Sequence, residues 1–443
     1  MKRSGWRYLW KSKDIRQKIL ISLLILAIYR LASNIPVPGV DRALVASLTQ
    51  TGGAAGGLIN LLDMLSGGAV STFSILAMGV YPYITAQIIL QLLVPIIPSL
   101  ERKMQEDQRE GRAWMERWTM ILTVPMAALS AIGQINIFSA MLGESVAVFG
   151  FSGGELLPTL TTILSMMAGT LFGVWLGELI SEYGIRGQGL SLIIFSGIVT
   201  KIPANLNTLL RNEQYWWLIF IVLAILVLTI FAVVHVQQGR RHVPVMFPGR
   251  RIGNRMSMPV KSSLPLMVNM ARMIPIIFAQ SFLTFPTILA SFFNNAEADW
   301  LRNTAAWIQN TFGGEGIIYP IVFFLMVVGF TFFYTDVLFT QQNYGENLKK
   351  QGAQIPGVAR GLPTQTYLTK VQRRITFPGA LFLGLVAALP YFLQLLLPEG
   401  LSQSNVFIVS ASGLLIVVGV VRDTFQIIET DLKMHGYDDK LIS

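Results

Sequence analysis

Long apolar runs broken by short polar stretches dominate the chain, and little of it shows the one-sided pattern of a water-soluble fold. A bilayer core about 30 Å thick takes roughly 20 apolar residues per helix. By that measure the pattern predicts ten spanning helices, near 19–34, 72–95, 118–137, 159–179, 189–204, 215–236, 268–293, 317–339, 376–397 and 405–421. The run LIFIVLAILVLTIFAVV at 218–234 is the clearest of them. An even number of spans returns both termini to one side. The expected class is all-α, a polytopic membrane protein.

Residues 58–71, LINLLDMLSGGAVS, stand apart from this set. Their apolar stretch is too short to span, and Gly67-Gly68 separates it from the next run. Non-helical backbone at membrane depth survives only where protein or a water-filled cavity surrounds it. The segment reads either as a half-helix dipping inward or as an amphipathic helix on the outer surface, and periodicity does not choose. Gly52, Gly53, Gly56 and Gly57 predict a flexible external loop before it.

Charge orients the spans. Of 34 Lys and Arg, 28 fall in the N-terminal tail, the loops 98–117, 180–188, 237–267 and 340–375, and the C-terminal tail. The opposite loops hold four, Arg42, Lys201, Arg211 and Arg302, while Arg30 and Arg272 lie inside spans. Such an excess marks the cytoplasmic side, so both termini are expected there. A cleaved signal peptide within the first 33 residues is the minor reading, because Arg30 interrupts the cleavage-proximal region and removing that helix inverts the count.

Composition narrows the class further. Charged residues make up 13% and hydrophobic ones 53%, against about 25% charged in soluble domains. There is no cysteine, which excludes a disulfide scaffold and thiolate metal sites. Net charge is +10, and the long basic loops 237–267 and 340–375 could dock anionic lipid, ribosomal RNA or an acidic protein surface.

Candidate chemistry is sparse. Gly150-Phe-Ser152-Gly153-Gly154 matches a hydrolase serine motif, but a serine nucleophile needs a base within hydrogen-bond reach. His235, His242 and His435 are all expected on the opposite face, about a membrane thickness away, so the motif reads as an external turn. His235 and His242 are seven residues apart, without metal-ligand spacing, and no cofactor is implied. No G-x-x-x-x-G-K-[ST] loop is present. Ion-coupled transport of small solutes, the competing class, normally keeps ionisable groups at the midplane, where this chain carries almost none. Gly169, Gly173 and Gly177 form a small-residue stripe that predicts close packing within the chain.

Two predicted spans are proline-broken and polar. Helix two carries Pro82 and Pro95 with Thr85, Gln87 and Gln91, and helix seven carries Pro265, Pro275 and Pro286 with Asn269, Gln280 and Thr284. A movable seam and ordinary interhelical hydrogen bonding are equally compatible with that pattern.

Several motifs, in order, resemble the SecY family of protein-conducting channels in its bacterial form. They are Ile35-Pro-Val-Pro-Gly39, Asn60-Leu-Leu-Asp-Met-Leu-Ser-Gly-Gly-Ala69, Met78-Gly-Val-Tyr-Pro-Tyr-Ile84 and Trp175-Leu-Gly-Glu178. Gly187-Gln-Gly-Leu-Ser191, Gly239-Arg-Arg241, Leu264-Pro-Leu-Met-Val-Asn-Met270, Glu346-Asn-Leu-Lys-Lys350 and Ile355-Pro-Gly357 continue the series, and the match runs from about 15 to 425. The resemblance implies two pseudo-symmetric five-helix halves, 1–204 and 205–443, around a central pore. It implies a pore ring of Val80, Ile84, Leu190, Ile194, Ile277 and Ile416, since a narrow aliphatic collar dewets yet offers a passing peptide no fixed partner.

By the same resemblance, Asn60, Leu61, Leu62, Asp63, Met64, Leu65, Ser66, Gly67 and Gly68 belong to an external plug. Thr85, Gln91, Ser130, Asn269 and Gln280 belong to a lateral gate where helices two and three part from seven and eight. Arg240, Arg241, Arg250, Arg251, Arg255, Lys349, Lys350 and Arg360 belong to a docking platform for the SecA motor ATPase or the ribosome. SecE-like and SecG-like small membrane subunits, signal peptides with nascent secretory or membrane proteins, and anionic lipids complete the implied partners. Met267 departs from a common lysine, Arg272 from a common glycine and Ser130 from a common glutamine, and Pro356-Gly-Val-Ala-Arg-Gly361 shifts an expected arginine by one position.

Overall fold

The computed structural model describes residues 12–40, 69, 73–100, 108–142, 155–211, 216–247, 251–252, 255–256, 260–293, 298–312, 318–396 and 406–434. Among the described residues ten helices fall on the ten expected spans. They are α1 (Lys13–Ala32), α2 (Tyr81–Leu93), α3 (Gln108–Leu142), α4 (Leu156–Tyr183), α5 (Gly189–Arg211), α6 (Trp216–Gln238), α7 (Ile274–Ser291), α9 (Ile318–Gln341), α11 (Leu362–Leu396) and α12 (Val406–Met434). Among the described residues two further helices, α8 (Asp299–Phe312) and α10 (Tyr344–Lys350), lie between these. At 1.5 Å per residue, the 35-residue helices α3 and α11 are about 50 Å long, so each extends past the hydrocarbon.

Three boundaries differ from expectation, each for a local reason. The run 72–95 is helical only from Tyr81. Before it the backbone turns through Phe73 at φ 41° and Gly79 at φ 53°, and Gly79 takes that left-handed conformation without a Cβ clash. The peptide groups freed there bond to the segment after α1: Val37 N–H donates to Phe73 O at 3.2 Å and Ile75 N–H to Ile35 O at 3.0 Å. The second boundary is α5, which continues through Pro203 to Arg211, so a division between helices falls after Arg211 and not at 204. The third is α7, which begins at Ile274 with a proline in its first turn, leaving Asn269 in the preceding connector and Pro265 on a strand.

That strand belongs to a hairpin that the reading of loop 237–267 as plain basic loop did not include. Strands β1 (Arg240–Phe247) and β4 (Val260–Met267) pair antiparallel, with His242 opposite Pro265 and Val245 opposite Ser262. At the tip β2 (Arg251–Ile252) pairs with β3 (Arg255–Met256). The hairpin exchanges two backbone bonds with the second loop, Met246 N–H to Gln354 O at 2.8 Å and Gln354 N–H to Met246 O at 2.9 Å. Beneath this junction Val243, Val245, Leu266, Phe339, Leu348, Ile355 and Leu368 form a separate apolar core. The two long basic loops therefore make one folded body.

Two cores lie within the helix bundle. The larger runs from Ile25 and Tyr29 of α1 through α2, α4, α5, α7 and α9 to Ile416 of α12. The smaller gathers Phe73, Met78, Tyr81, Ala127, Phe138, Met166 and Ile288 where α3 and α4 meet the start of α2. At one end of the bundle Lys18 of α1 lies 3.0 Å from Asp431 of α12, so the chain enters and leaves the bundle on the same face.

Candidate functional site

The six side chains of the expected ring all lie in or against the larger bundle core, together with many other buried residues. Val80, Ile84, Ile194, Ile277 and Ile416 are buried in the larger core, and Leu190 packs against it partly buried. They arrive from 80 to 416 along the chain, carried by α2, α5, α7 and α12. Each element has a reason to approach. Val80 caps α2, whose entry is set by Gly79 behind it and Pro82 ahead. Leu190 reaches inward because Gly177 of α4 leaves room: a Cβ there would lie 2.9 Å from Leu190 Cδ2.

The glycine stripe of α4 packs within the chain, as its spacing predicts. A Cβ at Gly169 would collide with the Ile75 carbonyl, and one at Gly173 would stand 3.4 Å from Leu76 Cδ2 and 3.9 Å from Val80 Cγ1. The stripe thus seats the turn that delivers Val80.

On the other side of that turn α2 and α3 meet α7. Tyr81 Oη donates to Ser281 O at 3.3 Å, and Ser291 Oγ donates to Gly133 O at 3.3 Å. Between them lies a small cavity lined by Ala77, Met78, Tyr81, Ser130, Gln134 and Ile288. The expected gate residues Thr85, Gln91, Ser130, Asn269 and Gln280 are all buried. Thr85 donates to Tyr81 O at 3.0 Å and Asn269 Nδ2 to Arg272 O at 3.0 Å, so both bond locally and not to each other. Gln91 Oε1, Gln134 Nε2, Asn269 Oδ1 and Gln280 Oε1 have no hydrogen-bond partner among the described residues. Tyr81, Gln134, Ser281 and Ser291 were missed in the sequence. Their signal was available as polar atoms inside spans two, three and seven.

The foot of α7 holds a charged cluster. Arg272 sits at φ 56°, in the left-handed region, which accounts physically for the glycine common at this position. It lies 3.4 Å from Asp423. Arg422 donates to Gln237 Oε1 at 2.8 Å and to Gln237 O at 2.9 Å, tying α12 to α6.

The expected docking residues map onto the folded body of loops. Arg240 and Arg241 open β1, and Lys349 and Lys350 end α10, all four exposed. Arg251 and Arg255 stand opposite Met256 and Ile252 at the hairpin tip. Arg360 is exposed and donates to Gln354 Oε1 at 3.1 Å. Arg250, the plug residues 60–68 and the Ser152 motif lie outside the described residues. Among the described residues no group of His, Asp or Glu could hold a metal ion.

The helix bundle has the fold of a protein-conducting channel. The family model of SecY matches residues 74–425. A curated relative, the protein translocase subunit SecY of Streptomyces galbus, is 37% identical over 97% of this chain and 97% of its own. The chain belongs to the SecY family. Among solved structures, a SecY channel whose plug domain stabilises its closed state aligns with TM-score 0.61 at 16% identity, covering 99% of this chain and 100% of that one. Canine Sec61 in a ribosome–channel complex aligns with TM-score 0.57 at 16% identity, again covering 99% and 100%.

Proposed function

We propose that this chain is the central, multi-pass channel subunit of a protein translocase, conducting unfolded polypeptides and releasing apolar segments sideways into lipid. The observation that supports the reading is that six aliphatic side chains from α2, α5, α7 and α12, distant in sequence, lie in or against one buried core. A collar of branched aliphatic groups excludes water and ions at rest, and its soft packing can widen around a threaded chain. The two groups of helices, α1–α5 and α6–α12, act as halves that separate along the α2/α3–α7 seam. Residues 58–71 act as the plug, a role supported by the plug domain of the SecY channel described above.

The hairpin and the α10 region together form the docking platform. Canine Sec61 is seen in a complex with a ribosome, which supports the ribosome as one partner, with SecA as the motor alternative. SecE-like and SecG-like subunits, signal peptides and nascent chains complete the assembly. Charge bias supports a cell (plasma or inner) membrane location with both termini cytoplasmic. The subunit is a passive conduit, driven by its partner or by the membrane potential.

Serine at the six ring positions tests the reading in planar bilayers: resting ion conductance should appear where the unaltered protein is silent. Single serines at Ile84, Ile277 and Ile416 guard against misfolding and should give graded leaks. Silent bilayers with normal translocation in every variant would overturn the ring. Arg251→Glu with Arg255→Glu should weaken partner binding, and the loss should grow as salt is lowered.

A further inference from the structure

Helix α8 fills most of the stretch between the end of α7 at Ser291 and the start of α9 at Ile318. Both neighbours are spans, and the hairpin leads into the opposite end of α7. The helix is therefore held at the membrane surface remote from the basic loops. Phe292 and Phe293, just past α7, and Ile318 at the head of α9 are exposed there and mark the same apolar edge.

Around its axis α8 divides into three flanks, since each residue of a helix advances about 100°. Leu301, Ala305, Ile308 and Phe312 share one flank and are buried or partly buried, with Phe312 against the larger core. Trp300, Thr304 and Trp307 share a second and are exposed, the two indoles by 69% and 60%. Thr311, in line with them but a turn further on, is buried, so this flank ends at Trp307. Asp299, Arg302, Ala306 and Asn310 share the third, which is exposed and mostly polar. Packing on the bundle accounts for the first flank and water for the third. Neither accounts for two exposed indoles in line. Indoles favour the headgroup level of a bilayer, where the ring meets acyl chains and the N–H meets water.

We propose that α8 is an interfacial anchor: its Trp flank enters the headgroup–acyl boundary of the adjoining leaflet while its Arg302 flank stays in water. Two indoles offer at most about 500 Å², short of the roughly 800 Å² per partner that a stable protein interface buries. A lipid surface needs no such area, because two spans already hold the helix against it. Charge does not select the lipid. Asp299 and Arg302 are the only charged residues of the helix, and they pair at 2.6 Å. The anchor requires α7 and α9 to span the bilayer and is independent of what the channel conducts. Because α8 packs against α7, it ties that end of α7 to the membrane surface.

The chain has no cysteine, so one introduced thiol carries a nitroxide label at a single place. Thr304→Cys on the Trp flank and Ala306→Cys on the polar flank are compared in the full chain, reconstituted in phosphatidylcholine vesicles. The label at 304 is expected about 5–10 Å into the headgroup–acyl boundary, open to oxygen and shielded from a water-soluble nickel reagent. The label at 306 is expected in water. Trp300→Ser with Trp307→Ser should move the 304 label outward by about 5 Å, and folded yield should hold because both indoles are exposed. Equal depth at 304 and 306 would overturn the anchor. An unmoved label in the double-serine chain would do the same, leaving the spans alone to place the helix. Depth seen only when phosphatidylglycerol replaces phosphatidylcholine would make the contact electrostatic and sink the proposal. A photo-crosslinker at position 307 that captures protein in native membranes, a second copy of this chain or another, would put that protein where the lipid is assigned and defeat it equally.

Discussion

The turn that delivers Val80 has two neighbours, and they hold it in different ways. Against α4 the contact is backbone-close: Gly169 admits the Ile75 carbonyl and Gly173 admits Leu76. Against α7 it runs through side chains, two hydrogen bonds at 3.3 Å and several amides without partners. Gly133 belongs to this second seam, where a Cβ would lie 2.4 Å from Cγ2 of the β-branched Ile288, so this one point is also close, though against a side chain and not a backbone carbonyl. Apolar contact at backbone distance is lost all at once when helices part. A seam with unmet hydrogen-bonding capacity loses less on opening, because water or a passing segment can satisfy what the closed state leaves bare. On the proposed gate reading, the first contact stays and the second is the one exchanged.

The largest effect should come from breaking the first contact. Gly169→Leu must displace the Ile75 backbone, and with it the Val80 turn, at a cost of about 3 kcal/mol or more. Folded yield and thermal midpoint in detergent read this directly. A near-normal midpoint would mean that the α4 packing is as exchangeable as the α7 seam.

The second contact should respond in the opposite direction. Gln280→Leu replaces a buried amide, whose Oε1 has no partner, by an apolar group of similar volume. Relief of that desolvation should stabilise the closed seam by about 1–3 kcal/mol. The thermal midpoint should rise and translocation should slow. A variant both less stable and slower would show that Gln280 is satisfied by water and supports the closed state.

Much of this contrast was legible in the chain, and the illegible part has definite causes. The ten helices stood out because apolar length is a strong signal, and the glycine spacing of α4 named its own use. The hairpin did not stand out: few of its residues are buried in its core, Val243 and Val245 on β1 and Leu266 on β4, and Pro244 and Pro265 weaken the strand pattern. The start of α2 was hidden because residues 73–80 are as apolar as the helix that follows, and only the conformations at Phe73 and Gly79 separate them. The ring residues are aliphatic among aliphatics, so pattern alone does not distinguish a pore lining from core packing. In the seam Thr85 and Asn269 were legible as polar residues in spans. That they bond locally, while Tyr81 and Ser291 reach across, is set by helix rotation, which composition does not encode.

A smaller effect isolates one bond across the seam. Tyr81→Phe removes the hydroxyl that donates to Ser281 O while keeping the ring in the smaller core. The closed state should lose about 0.5–1.5 kcal/mol, and translocation of weak signal sequences should quicken. With Gln280→Leu in the same chain the two changes should offset each other. Strong non-additivity would mean that both act on one network.

The smallest effect is expected at the foot of α7, beyond the span, where charge takes the place of packing. Burial raises the Asp423 carboxyl above the ordinary carboxylate value, outweighing the opposing pull of Arg272 and Arg422. A folded-state value above the unfolded one means the folded state holds its proton longer. The stability contributed is therefore full below the ordinary carboxylate value, and is lost as pH rises through the raised one. Asp423→Asn removes that slope. At neutral pH it should move stability by less than about 1 kcal/mol, since losing the 3.4 Å pair to Arg272 is offset by no longer desolvating a carboxylate. Thermal unfolding of both proteins from acid to neutral pH measures the slope and the offset together. A loss of several kcal/mol at neutral pH would show that the ion pair anchors this end of α7, and that the seam is fixed at its foot while free along its length.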